Sequence, residues 1–281
     1  MEHVVEWIEK SEYARTLGVE LRAIGDGGAQ LLLPYSDANS NPGQVLHGGV
    51  AASLIGMAGQ AVARASLGAE AAPFHTSGLQ VTYLAAAKAQ AIVATARRLR
   101  GGKELCFVDV AVTSADGKAI AHGLVAARGR FGAGPVALPE SGGDDGAADP
   151  GRMGAHVSKI PFMAKLGVRI EHMVDAHSRI VLPWAESNGD LGGGVHEGAV
   201  LALLDTTGAM AAWAVTGPGR YKASTPALQA QFLAPPAAED LVGYGRSVHH
   251  DGEAHWCDVE VAGAKSRRVF ARGTVLYRIV T

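Results

Sequence analysis

Apolar residues follow two rhythms along this chain. Near the start, from Val4 to Leu17, they recur at helical intervals, which predicts a short amphipathic helix. Val19 to Leu33 reads as a strand, and Ser36 to Gln44 as a polar loop. From His47 onward, Val50, Leu54, Met57, Ala58, Ala61 and Val62 step by three and four through a stretch with few polar residues. That pattern predicts a largely buried helix of about 20 residues. Four strand candidates follow: Leu79 to Ala85, Ala91 to Leu99, Leu105 to Thr113 and Ala119 to Phe131. Their β-branched and aromatic content, with turns at Gly101-Gly102 and Asp116-Gly117, predicts an antiparallel meander. One buried helix against one antiparallel sheet is a compact α+β unit.

The same text is then written again. Leu17-Gly18-Val19 recurs as Leu166-Gly167-Val168, His47 as His196, and Gly49 as Gly198. Thr76, Leu79, Gln80 and Leu84 recur as Thr225, Leu228, Gln229 and Leu233, and Asp109 as Asp258. Each pair is 149 residues apart, with a slip of one only near Ala121 and Ala271. A period this long indicates duplicated domains rather than a solenoid. The segment from Gly132 to His156 is rich in Gly, Pro, Ala and Asp and has no apolar period, so it reads as a linker. The expected layout is an N-terminal domain over 1–131, a linker over 132–156 and a C-terminal domain over 157–281, packed as a pseudo-dimer within one chain.

Composition narrows the function. Charged residues make up 19% and the net charge is -2, so no basic bias points to nucleic acid. Two cysteines exclude a disulfide scaffold and suit a reducing, cytoplasmic setting. The N-terminal residues mix charged and apolar types unlike a signal peptide, and Gly, Gln, Asp or Arg interrupt each apolar run, so no membrane span is expected.

The segments from Asn41 to Ala63 and from His196 to Ala214 resemble the helix-opening motif of the hotdog-fold acyl-CoA thioesterases, in particular the phenylacetic-acid-degradation (PaaI-like) branch. That motif is Asn, five residues, His-Gly-Gly, then an acid nine residues after the His. The resemblance covers nearly the whole chain as two tandem hotdog domains. It implies hydrolysis of an acyl-CoA thioester to a carboxylic acid and free CoA, with CoA present only as part of the substrate and no metal or redox cofactor. It also implies pairing of two such chains, with no nucleic-acid or membrane partner.

The physical reading runs beside it. The first amides of a helix lack intrahelical acceptors and sit at its positive end. A glycine there lets a carbonyl oxygen approach the backbone, so the Gly48 amide can hold a developing oxyanion. Asp205 lies nine residues after His196, a separation that turns a helix by about 900° onto its opposite face. It therefore cannot serve its own helix start, but it can serve the start of an antiparallel neighbour. The two copies are unlike at these positions: Asp205 corresponds to Gly56, Gly48 to Glu197 and Asn41 to Asp190. One composite site is thus expected from Asn41, His47 and Gly48 with Asp205 and Thr225. The reciprocal set, Asp190, His196, Glu197, Gly56 and Thr76, reads as a degenerate site.

By resemblance, Asp205 is general base or nucleophile, and Gly48 is the oxyanion donor. Asn41 positions the carbonyl or the water, Thr225 orients the water, and His47 fixes the loop or meets the thioester sulfur. Arg97, Arg98 and Lys103, with Arg100, cluster at a hairpin tip and are candidates for the CoA phosphates. Two competing readings are a non-catalytic acyl-CoA or ligand-binding protein and an enoyl-CoA hydratase. The hydratase reading requires an Asp-His pair in a different loop, which is not found. The His-Glu pair at 196–197 lacks a second His at Val200 and does not make a zinc motif.

Overall fold

A computed structural model describes residues 1–130 and 137–280. Phe131, the first five residues of the expected linker and Thr281 lie outside the described residues. The first half runs α1 (Glu2–Lys10), α2 (Glu12–Leu17), β1 (Glu20–Gly25), β2 (Gly28–Leu33), the two-residue strands β3 (Ser40–Asn41) and β4 (Val45–Leu46), then α3 (Gly48–Leu67). It continues with β5 (His75–Tyr83), β6 (Ile92–Gly101), β7 (Leu105–Ser114) and β8 (Ala119–Arg128). The second half runs α4 (Gly154–Val157), α5 (Pro161–Leu166), β9 (Arg169–Val174), β10 (His177–Leu182) and α6 (Glu197–Thr216). It ends with β11 (Lys222–Phe232), β12 (Leu241–His250), β13 (Ala254–Gly263) and β14 (Val269–Val280).

Four expectations are corrected. The stretch from Val19 to Leu33 is a hairpin, β1 with β2, because Asp26-Gly27 supplies a turn with Gly27 at φ 83°. The opening helix is likewise two, since Ser11 adopts extended backbone and its hydroxyl accepts from the Ala14 amide as a new N-cap. Only β6, β7 and β8 form a meander; β5 pairs with β8 at the far side, not with β6. Helix α4 also starts inside the segment expected to be an unstructured linker. The preceding residues lie against the second half, where Arg179 donates to the carbonyls of Asp144 and Gly146 and Ser141 Oγ donates to Glu260.

All strands except β3 and β4 join one twelve-stranded antiparallel sheet in the order β1-β2-β6-β7-β8-β5-β11-β14-β13-β12-β10-β9. The seam is β5 with β11, where Gln80 faces its own duplicate Gln229, and Leu79 and Val81 face Ala230 and Leu228. A pseudo-twofold axis therefore passes through that glutamine pair. Each half wraps its strands round one central helix. By length and composition α3 and α6 would both qualify as membrane spans, more apolar than their interrupted sequences suggested. Burial inside the sheet accounts for this: fifteen consecutive residues of α3, from Gly49 to Ala63, are buried.

The two helices meet antiparallel near their N-termini. A Cβ added at Gly49 would come within 2.7 Å of the Ala202 backbone, and one added at Gly198 within 3.0 Å of the Ser53 side chain. Ala202 is the duplicate of Ser53, so both contacts obey the pseudo-twofold. Glycine is required because any side chain would force the helices apart. Each half also covers the other's helix start: Phe162 of α5 packs on His47 at 4.9 Å, and its duplicate Tyr13 of α2 packs on His196 at 5.0 Å.

Candidate active site

His47 is the N-cap of α3, and its Nδ1 accepts a hydrogen bond from the Gly49 amide at 3.0 Å. That bond places the ring proton on Nε2. Burial lowers the His47 pKa to about 4, so the ring is neutral and acts as a cap. Among the described residues, no acceptor meets the Gly48 amide. It opens at the positive end of a twenty-residue helix that is almost wholly buried.

Asp205 of α6 faces this turn from the other half of the chain. Its Oδ2 lies 2.9 Å from the place a Cβ at Gly48 would take and 3.9 Å from His47 Nδ1. Thr225 Oγ1 donates to Asp205 Oδ1 at 2.8 Å. The residue is 3% exposed, and that burial raises the carboxyl pKa to about 6, with the Thr225 hydroxyl and the Gly49 amide opposing the rise. An acid with such a pKa is ionised at neutral pH yet basic enough to accept a proton. Asn41 sits in β3, paired with Val45, on the loop whose Asn39 carbonyl accepts from the His47 amide at 3.1 Å. Among the described residues its side chain makes no hydrogen bond with Asp205.

Aromatic residues stand round the site, of which sequence reasoning did not single out Tyr83, Tyr221 or Tyr277. Tyr83 donates from its hydroxyl to the Gly48 carbonyl at 3.1 Å, and its ring lies 3.6 Å from the Gly48 Cβ position. Burial and the neighbouring Asp205 charge push its phenol well above the usual range. Trp213, four residues beyond Ala209 on α6, donates to the Tyr277 hydroxyl at 3.2 Å and stacks on Tyr221 at 6.1 Å. The only sequence signal for Tyr83 was its place at a strand end, which does not separate a site residue from an ordinary edge aromatic.

The structure does not bring the hairpin cations to this turn. Arg98 donates to Ser66 at 3.1 Å and pairs with Asp26 at 3.0 Å. Ser66 is at the opposite end of α3, about 27 Å from Gly48 along the helix axis. Arg97 pairs with Asp109 at 3.8 Å on the exposed sheet face, and Lys103 occupies the exposed turn between β6 and β7. The register of β6 fixes these directions, and it was not visible in the spacing of the cations.

The reciprocal residues gather at the start of α6 and line one cavity of about 110 Å³. His196 repeats the cap, accepting from the Gly198 amide at 2.9 Å. Glu197 stands where Gly48 stands in the first half, and Gly56 leaves the space that Asp205 fills there. The Glu197 carboxylate accepts from the Thr76 amide at 2.9 Å. A carboxylate thus stands in the second cleft too, but it comes from the helix that opens there, α6, and not from the facing helix. Burial raises it to about pKa 7. Asp190 accepts from Trp7 Nε1 at 3.0 Å.

Residues 43–121 match the family model of the thioesterase superfamily. Among solved structures, the chain is similar to a tesB protein of Mycobacterium avium subs paratuberculosis, with a TM-score of 0.71 at 14% identity over 96% of this chain and 100% of that one. It is similar to the acyl-CoA thioesterase II TesB2 of Mycobacterium marinum, with a TM-score of 0.64 at 13% identity over 94% and 95% of the two chains. A hot dog fold protein of unknown function from Alicyclobacillus acidocaldarius gives a TM-score of 0.66 at 17% identity over 93% and 96%. No curated protein matches the sequence. At these identities the structural likeness establishes the fold, and it spans both halves. The chain is a double hotdog, two copies of the fold in one polypeptide, and the match to the thioesterase-superfamily model falls in its first copy, over residues 43–121.

Proposed function

We propose that this chain is an acyl-CoA thioesterase that works at the composite site between its halves. The observation that carries the reading is the Asp205 carboxylate, set 2.9 Å from the Cβ position of Gly48 and facing a helix start whose first amide is open. The thioester carbonyl oxygen lies on the Gly48 amide. Asp205 takes a proton from water as the water oxygen attacks the carbonyl carbon, and the carbonyl electron pair moves onto the oxygen held by that amide. Collapse breaks the C–S bond, the CoA thiolate leaves and is protonated, and the carboxylic acid remains. In the covalent variant the carboxylate attacks first and water opens the resulting anhydride; both routes use the same atoms. Thr225 holds the carboxylate by its Oδ1, and Asn41, on the loop before the cap, positions the carbonyl or the water. His47, neutral and tied to the Gly49 amide, holds the turn.

Trp213, Tyr221 and Tyr277 give the first cleft an aromatic wall suited to an apolar acyl group. Thiol release from short, long, aromatic and hydroxylated acyl-CoAs, with the parent and with Asp205→Asn, tests the proposal. Turnover that disappears in Asp205→Asn supports it. Measurable binding of every thioester with turnover of none would favour the non-catalytic reading.

The proposal extends to a dimer of chains and a cytoplasmic setting. Leu99, Phe107 and Leu124 are exposed together on the outer sheet face, which is where a second copy would cover apolar surface. Both cysteines are buried and unbonded. Sedimentation of the parent against Phe107→Lys reads the first point.

A further inference from the structure

Arg64 lies on α3, one turn beyond Gln60, and its guanidinium is held between two rings, 4.1 Å from Trp7 and 4.8 Å from Phe74. Among the described residues it donates no hydrogen bond, and no carboxylate lies within 4.0 Å of it. Its Nε is buried without a partner. Asp190 and Glu197 act on its charge from beyond hydrogen-bond range, and their own hydrogen bonds lie elsewhere: Asp190 accepts from Trp7, and Glu197 accepts from the Thr76 amide and from Gln60 Nε2.

Two further polar atoms in the same cavity are unpaired. Gln60 is 3% exposed; its Nε2 donates to Thr76 Oγ1 at 3.0 Å, which leaves Oε1 buried with no donor. His196 is 4% exposed; its Nδ1 accepts from the Gly198 amide, so Nε2 carries the proton and finds no acceptor. Asp190 Oδ1, at 3.9 Å, is too far for a hydrogen bond. Buried polar atoms left without partners are costly, and three around one cavity point to a missing ligand.

The unpaired atoms describe that ligand. Arg64 presents a planar fork of donors, which matches a carboxylate. His196 adds one donor, and Gln60 Oε1 asks for one hydroxyl. The cavity, about 110 Å³, is small beside ordinary ligand sites, so the molecule is short. We propose that the second cleft binds a short hydroxycarboxylate, its carboxylate on Arg64 and His196 and its hydroxyl donating to Gln60 Oε1. The first cleft lacks this set, because the duplicates of Gln60 and Arg64 are Ala209 and Trp213. The cleft that lost the thioesterase arrangement has gained a different recognition chemistry. This inference does not rest on hydrolysis at Asp205.

Calorimetric titration of the full chain with lactate and 3-hydroxybutyrate tests it, with propionate, butyrate, methyl lactate and inorganic phosphate as comparisons. A hydroxycarboxylate should saturate one site per chain, with unchanged affinity in Asp205→Asn. Arg64→Met should weaken it at least tenfold. Gln60→Leu should remove the preference for the hydroxy acid over its unhydroxylated counterpart. If Arg64→Met fails to fold, Arg64→Lys, which keeps the charge between the rings but not the fork, should still weaken binding several-fold. The proposal is overturned if no carboxylate saturates, if methyl lactate binds as well as lactate, or if affinity survives in the folded Arg64 variant. It is also overturned if phosphate alone saturates the site.

Discussion

The carboxylate of Asp205 fills the space that any side chain at Gly48 would need, with Oδ2 only 2.9 Å from the Cβ position. The two residues come from different halves of the chain, and the pseudo-twofold repeats the relationship in reverse. Glu197 replaces Gly48, and Gly56 replaces Asp205. In the first cleft the glycine must lack a side chain for the carboxylate to fit, whereas at Gly56 an added Cβ would meet the Leu201 and Leu79 side chains at 3.3 and 3.6 Å.

Asp205→Asn should lower thioester turnover by about a hundred- to ten-thousand-fold, the usual range for a lost general base. Asp190→Asn should leave turnover near the parent value, because Asp190 lies in the other cleft. Equal losses in steady-state assays of the two variants would refute a single composite site.

Burial lifts the Asp205 pKa from its ordinary 3.8 to about 6 in the folded chain. As pH rises between these values the unfolded chain releases this proton and the folded one keeps it, so stability falls through that window. Asp205→Asn should therefore be more stable than the parent at pH 8, by about 2–3 kcal/mol from the size of that shift. The difference should vanish near pH 4, as read by urea unfolding at both pH values.

Activity should rise with pH along a limb centred near 6, where the carboxyl ionises. Thr225→Val removes a hydrogen bond that favours the ionised form, so its limb should move to higher pH. A profile of kcat/KM against pH for both proteins reads the shift, and a limb that stays in place would separate Thr225 from the catalytic carboxyl.

Gly48→Ala should cost at least tenfold in kcat/KM, because the added methyl displaces the carboxylate and crowds the oxyanion site. The accompanying loss of stability should be about 1–3 kcal/mol, as for other overpacked contacts. Thermal unfolding beside the assay separates the two effects.

Gly56→Asp alone should destabilise the chain without creating a second thioesterase site, since the new carboxylate meets that of Glu197. Adding Glu197→Gly, which restores the first cleft's pairing, should recover most of that stability. If Gly56→Asp instead turned over thioester in an Asp205→Asn background, the exclusion between these two positions would be wrong.

Much of the fold was legible because the gene text is doubled. The offset of 149 located two copies, and the three- and four-residue steps from Val50 to Val62 located the buried helix. The turn at Asp26-Gly27 is equally present in the sequence, but the apolar residues on both sides of it read as one continuous strand. The position of β5 beside β8 was not legible. It follows from β5 pairing with its duplicate β11 at the seam, a contact between distant segments that strand periodicity does not encode.

Of the site, Gly48, Asp205, His47 and Thr225 were identifiable from the motif, its duplication and the half-turn geometry of nine helical residues. Tyr83 and Tyr277 were not, because an aromatic within or at the end of a strand reads as core. Arg64 was hidden for a related reason: an arginine in the last turn of a helix reads as a dipole partner facing water.

By itself the sequence determined that there are two unlike copies, where each central helix starts, and which copy keeps glycine and which the acid. Those are local facts, carried by spacing and residue type. Only the tertiary structure decided that the helices cross with Gly49 on Ala202, that Glu197 folds onto Thr76, and that Arg64 lies between two rings with no side-chain hydrogen bond among the described residues. These depend on how two surfaces meet, and packing is settled by shape and burial between residues that sequence spacing does not relate.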